Sequence, residues 1–104
     1  MRKSRPIEKI RSVTIRGRRY SFHIYTLGKD QDGECDNPKA KGKSIAIHPR
    51  ILKTPRRLMT TLIHESLHAA CWDLDEEWVQ ETADDIERIL YRAGYRLMEG
   101  DTNE

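Results

Sequence analysis

Between Thr54 and Gly94, apolar residues recur at helical spacing in two runs that only a few residues separate, and this arrangement constrains the fold most. Leu58, Leu62, Ile63, Leu67 and Ala70 form a stripe in the first run; Trp78, Val79, Ala83, Ile86, Ile89 and Leu90 form one in the second. Thr54 suits an N-cap and Pro55 the first helical position, where its missing N–H costs nothing. This helix is expected to reach about Cys71 or Trp72. Asp73-Leu74-Asp75 reads as a tight connection, with Asp75 capping a second helix. The acidic first turn, Glu76-Glu77, complements that helix's dipole, and Gly94 ends it. Helices joined so closely pack against each other, with Trp72 and Trp78 expected as core pins beside the turn.

The N-terminal half reads as strands. Val13 and Ile15 point one way and, after a turn at Gly17-Arg18, Tyr20, Phe22 and Ile24 do the same, a hairpin signal. Residues 28–43 have turn composition and read as a surface loop, long for so small a domain. Ser44-Ile45-Ala46-Ile47-His48 is a short strand ended by Pro49. The expectation is a single α+β domain over residues 1–104, with about three strands in an antiparallel or mixed sheet on two main helices. Residues 1–10 form a basic lead-in with a short helical turn after Pro6, and residues 95–104 a polar tail.

Composition excludes several classes. No apolar run approaches the roughly 20 residues that span a bilayer, and Met1-Arg2-Lys3-Ser4-Arg5-Pro6 lacks the apolar stretch of a signal peptide. The chain is therefore expected to be soluble and cytoplasmic. Cys35 and Cys71 have no CxxC spacing and read as reduced thiols, Cys71 packing as a small apolar residue. Through Arg57 the chain holds 16 Lys or Arg against 5 Asp or Glu; from Leu58 onward it holds 3 against 12. The two halves are expected to pack together and neutralise each other.

His64-Glu65-Ser66-Leu67-His68 carries the chemistry. Histidines four apart on a helix lie roughly 40° apart on one face, one turn along the axis, so both can reach one Zn2+ at about 2 Å. Glu65, one step round, is placed to contact a water there as general base. Such a motif arises by chance in well under about 1% of chains this long. Catalytic zinc takes three protein ligands and keeps one position open. The second helix offers Glu81 as third ligand, with Glu77 and Asp84 as alternatives. Asp85, one turn beyond Glu81, is placed to accept a ligand histidine's outward N–H.

The set His64-Glu65-x-x-His68 followed by Glu81-x-x-x-Asp85 resembles the gluzincins, and Gln80-Glu81-Thr82-Ala83-Asp84-Asp85 is similar to their thermolysin-like form. With Gly33-Glu34-Cys35-Asp36 and the strand Ser44 to His48 upstream, residues 12–93 resemble small prokaryotic and phage peptidase-like proteins of the ImmA/IrrE and SprT-like kind. The resemblance implies a small zincin-like domain hydrolysing peptide bonds, with an extended substrate lying antiparallel along an edge strand. Ser44, Ile45, Ala46 and Ile47 are expected to be that strand. The chain departs from the pattern in the short interval from His68 to Glu81 and in lacking the third histidine and zinc ribbon of the SprT type. No downstream residue obviously matches the transition-state stabiliser, for which His48, Tyr91 and Tyr95 are the candidates. Cys35 could occupy the open zinc position as a brake.

The leading expectation is therefore a zinc metallopeptidase acting on a protein or peptide. The alternatives are a nucleic-acid-associated regulator using Arg2, Lys3, Arg5, Arg11, Arg16, Arg18 and Arg19 as phosphate contacts, and a zincin-fold module that binds a partner without turnover.

Overall fold

The computed structural model describes residues 10–97, which leaves most of the basic lead-in, the turn after Pro6 and the end of the polar tail outside the described residues. Strands β1 (Ser12–Ile15), β2 (Arg18–Ile24), β3 (Gly33–Cys35) and β4 (Ser44–Ile47) precede a 3-10 turn at Pro49–Ile51. Helices α1 (Pro55–Ala70) and α2 (Glu76–Arg92) complete the α+β fold. The sheet has four strands rather than three, in the order β1-β2-β4-β3, with β4 parallel to β2 and antiparallel to β3.

The first hairpin turns at Arg16-Gly17, one residue earlier than expected. Both residues have left-handed φ, 48° and 81°, the pattern of a type I′ turn that matches strand twist. The turn sets Val13 opposite Tyr20. Tyr20, Ile45, Ile47, Ile51, Leu58 and Ala69 then form the core. Each fully buried Ile or Leu stabilises the fold by about 1.5–3 kcal/mol.

The position of β4 corrects the expected edge strand. Ile45, Ala46 and Ile47 are all buried, and β4 is paired on both sides, so its backbone has no free edge to offer a peptide. The edges are β1 and β3, and β3 lies inside the segment read as loop. Pairing with β4 creates this strand: the Asp36 N–H donates to the Ser44 carbonyl (3.0 Å), and Asp36 Oδ2 accepts from Ser44 N (3.0 Å) and Oγ (3.1 Å). Gly33 allows β3 to lie on α1. A Cβ there would fall 2.7 Å from Thr61 Cγ2 and 3.0 and 3.1 Å from Glu65 Cγ and Oε2. The Thr61 methyl has little freedom to turn away, because its Oγ1 donates to the Arg57 carbonyl (2.9 Å).

Helix α1 lies between the sheet and α2. It buries Leu58, Thr61, Glu65 and Ala69, a stripe rotated from the expected one; Leu62, Ile63, Leu67 and Ala70 are half-buried. Helix α2 packs principally on α1 and buries only Val79, Ala83 and Glu87. That narrow contact leaves Ile89 66% exposed and both tryptophans more than a third exposed, so they are not core pins. Asp75 caps α2 as expected, accepting from the Trp78 N–H at 3.1 Å, and Gly94 follows its end with φ 100°. Thr54 makes no side-chain cap bond, although α1 begins at Pro55 as expected.

Arg56 reaches across from α1 to Glu87 of α2 with two hydrogen bonds, 2.7 and 2.9 Å. Among the described residues this is the one ion pair between the basic and acidic halves, so mutual neutralisation takes a narrower form than expected. No described helix is long and apolar enough to cross a membrane.

Two outcomes follow from this packing. Gly33→Ala is expected to push β3 off α1 and to destabilise the protein by about 1–3 kcal/mol in denaturant titrations, the usual cost of overpacking. The Arg56 hydrogen bond holds the Glu87 carboxyl below its ordinary 4.5. A depressed folded-state pKa stabilises the fold above the unfolded value, and this contribution is lost as pH falls through the folded one. Glu87→Gln is therefore expected to melt below wild type at neutral pH, with the gap closing on acidification. A gap unchanged at acid pH would assign the effect to packing.

Candidate metal centre

Helix α1 ends at Ala70, and residues 71–75 reverse the chain, so the first turn of α2 arrives opposite the last turns of α1. His64 and His68, one turn apart on α1, have ring centroids 4.9 Å apart. Glu76, the first residue of α2, places Oε2 2.9 Å from His64 Nε2 and Oε1 2.8 Å from His68 Nε2. One donor atom from each residue lies within 4.8 Å of the others. Two ligands about 2.0–2.1 Å from a tetrahedral ion stand about 3.3 Å apart, so the two nitrogen–carboxylate distances are near that spacing and the set lies within reach of one metal ion. The positive end of the α2 dipole also favours a carboxylate at that position.

The expected third ligand, Glu81, is not brought to the histidines. Five residues beyond Glu76, it lies about 140° round the helix and about 7.5 Å further along, and it is exposed. Asp85 shares its outward face and pairs with Arg88 at 2.9 Å instead of supporting a histidine. Of the alternatives, Glu77 is exposed, whereas Asp84 lines the cleft and accepts from Gln80 Nε2 at 3.0 Å. Chain reversal is the signal that would have favoured Glu76, because only the start of α2 can face the end of α1.

Glu65 forms the floor. It is 7% exposed, faces the cleft, and its carboxylate has no hydrogen-bond partner among the described residues. Burial, reinforced by the Glu76 and Glu34 carboxylates, pushes its carboxyl up to about 7. A general base works best with a pKa near the operating pH, and perturbed carboxyls in clefts mark functional sites.

The other expected participants lie elsewhere. His48 Nδ1 accepts from the Arg50 N–H (3.0 Å), capping the 3-10 turn. Tyr91 sits fifteen residues down α2 from Glu76, about 22 Å along the axis. The guanidiniums of Arg56 and Arg96 cover its ring at 3.7 and 3.6 Å from the centroid. Tyr95 is exposed beyond the end of α2. Cys35 lines the cleft from β3, where burial, Glu65 and Asp36 push its thiol up to about 12, and it is not in the His64, His68 and Glu76 cluster. Cys71 is exposed rather than packed, and both cysteines are free.

The cleft, about 560 Å³, has β3 and the preceding loop as one wall and the Glu76, Gln80 and Asp84 stripe of α2 as the other. Asp32 anchors the loop wall, accepting two bonds from Arg57 (2.6 and 2.8 Å) and one from Arg50 (3.3 Å). Burial raises its pKa, but the two guanidiniums outweigh this and hold it below the ordinary value. Away from the cleft, Arg11, Arg16, Arg18 and Arg19 are exposed and pair with no carboxylate among the described residues; Arg2, Lys3 and Arg5 lie outside them.

No protein-family model, curated protein or solved structure matches this chain.

The geometry separates the two glutamates experimentally. Glu76→Gln is expected to weaken zinc binding by at least about 100-fold, the upper end for losing even a supporting residue. Glu81→Gln should bind zinc as wild type does. Titration with a competing chelator measures both, and equal losses would remove Glu76 from the ligand set.

Proposed function

We propose that the chain is a minimal zincin-type metallopeptidase in which His64, His68 and Glu76 hold a zinc ion and Glu65 is the general base. The convergence of both imidazoles and a carboxylate beside the buried, unpartnered Glu65 carries this reading. When bound there, zinc supplies a Lewis acid and acidifies water.

The protein's own groups account for the remaining steps. Glu65 takes a proton from the attacking water and returns it to the leaving amine. Gly33 lets β3 sit against α1, keeping the Glu65 carboxylate beside the cleft rather than in open solvent. The outer edge of β3 is the sheet edge at the cleft, and an extended peptide can pair with it in β-strand fashion. Arg57 and Gln80 line the same cleft and keep N–H groups beyond those bonded to Asp32 and Asp84, which can donate to a carbonyl oxygen that gains charge.

Glu65→Gln preserves shape and removes the base. It is expected to keep the fold and bound zinc while losing at least about 100-fold in peptide hydrolysis, the low end for general acid–base catalysis. Hydrolysis by the zinc-loaded variant at the wild-type rate would exclude Glu65 as the base.

A further inference from the structure

Resting on the peptidase reading, we infer that this cleft selects a substrate with a lysine or arginine side chain within about three residues of the scissile bond. Six carboxylates line the cleft: Asp30, Asp32 and Glu34 on the β3 side, Glu65 on the floor, and Glu76 and Asp84 on α2. The only Lys or Arg in the lining is Arg57, and both of its short hydrogen bonds go to Asp32. Even with a divalent ion held by the histidines and Glu76, the lining carries more negative than positive charge.

The unpaired carboxylates are placed on both walls. Asp84 receives only the neutral Gln80 amide, and Asp30 and Glu34 have no cationic partner among the described residues. Glu65 independently points to a ligand: it is more than nine-tenths buried, faces the cleft and has no hydrogen-bond partner among the described residues. Its carboxylate is open to the cleft, where a bound group can pair with it.

The distances set the position of the basic residue. Asp84 lies two turns beyond Glu76, about 12 Å along α2. An extended peptide advances about 3.3 Å per residue, so a long basic side chain two or three residues from the cleaved bond spans that interval. Glu34, on the β3 edge, offers a second carboxylate to the same strand. A peptide with acidic side chains there meets repulsion from both walls.

The test uses the zinc-loaded full chain and fluorogenic peptides that differ only in carrying lysine, norleucine or glutamate at the positions flanking one bond. The lysine peptides are expected to show at least about a tenfold higher kcat/KM than the norleucine peptides, with the glutamate peptides lowest. The preference should shrink in Asp84→Asn and at high salt, while hydrolysis of the norleucine peptides changes little. In parallel, calorimetry measures binding of the same peptides to zinc-loaded Glu65→Gln. Hydrolysis without a preference for lysine overturns the inference and leaves the peptidase reading standing. Selective lysine-peptide binding that weakens in Asp84→Asn, without hydrolysis by wild type, upholds the inference and overturns the peptidase reading. Neither cleavage nor selective binding overturns both.

Discussion

Residues 71–75 are all the chain has between two antiparallel helices, and this short reversal places a carboxylate over two imidazoles. The Cys71 N–H still bonds to the Leu67 carbonyl at 2.9 Å, the Leu74 N–H returns to the Cys71 carbonyl at 3.3 Å, and Asp75 at once caps the next helix. No slack remains for α2 to begin elsewhere. Glu76 therefore meets His64 and His68, and Gln80 and Asp84, one and two turns later, become a cleft wall.

The opposite wall is built by exclusion of a side chain. At Gly33 the sheet edge approaches α1 closely enough that a single methyl would collide with Thr61 and Glu65. That closeness helps bury Glu65, and burial together with the Glu76 and Glu34 carboxylates raises its pKa to about 7. Burying an acid weakens a small domain, and this core carries a further cost in the Tyr20 hydroxyl, buried with no hydrogen-bond partner among the described residues. The isoleucines of β4 and the 3-10 turn, with Leu58, supply the apolar burial that offsets both.

Charge is divided with similar economy. The loop wall is fixed by Arg50 and Arg57 converging on Asp32, and the far ends of the helices by Arg56 and Glu87. These pairs leave Asp30, Glu34 and Asp84 facing the cleft without cationic partners among the described residues, while the hairpin arginines remain exposed elsewhere. Its polarity follows from where the pairs form, because the net charge of the chain is only +2.

Local rules made much of this legible. The period of 3.6 and the Pro55, Asp75 and Gly94 signals locate both helices, alternation locates β1, β2 and β4, and four-residue spacing puts His64 and His68 on one face. These features depend on neighbours a few residues away, so the sequence alone determined them. Whether Glu76 or Glu81 meets the histidines depends on the rotation of one helix against another. Strand β3 exists only because β4 pairs with it, and β4 is interior because β2 and β3 take both its edges. Tertiary structure alone decided these, because their partners are distant in the chain and packing, rather than local preference, selects among them.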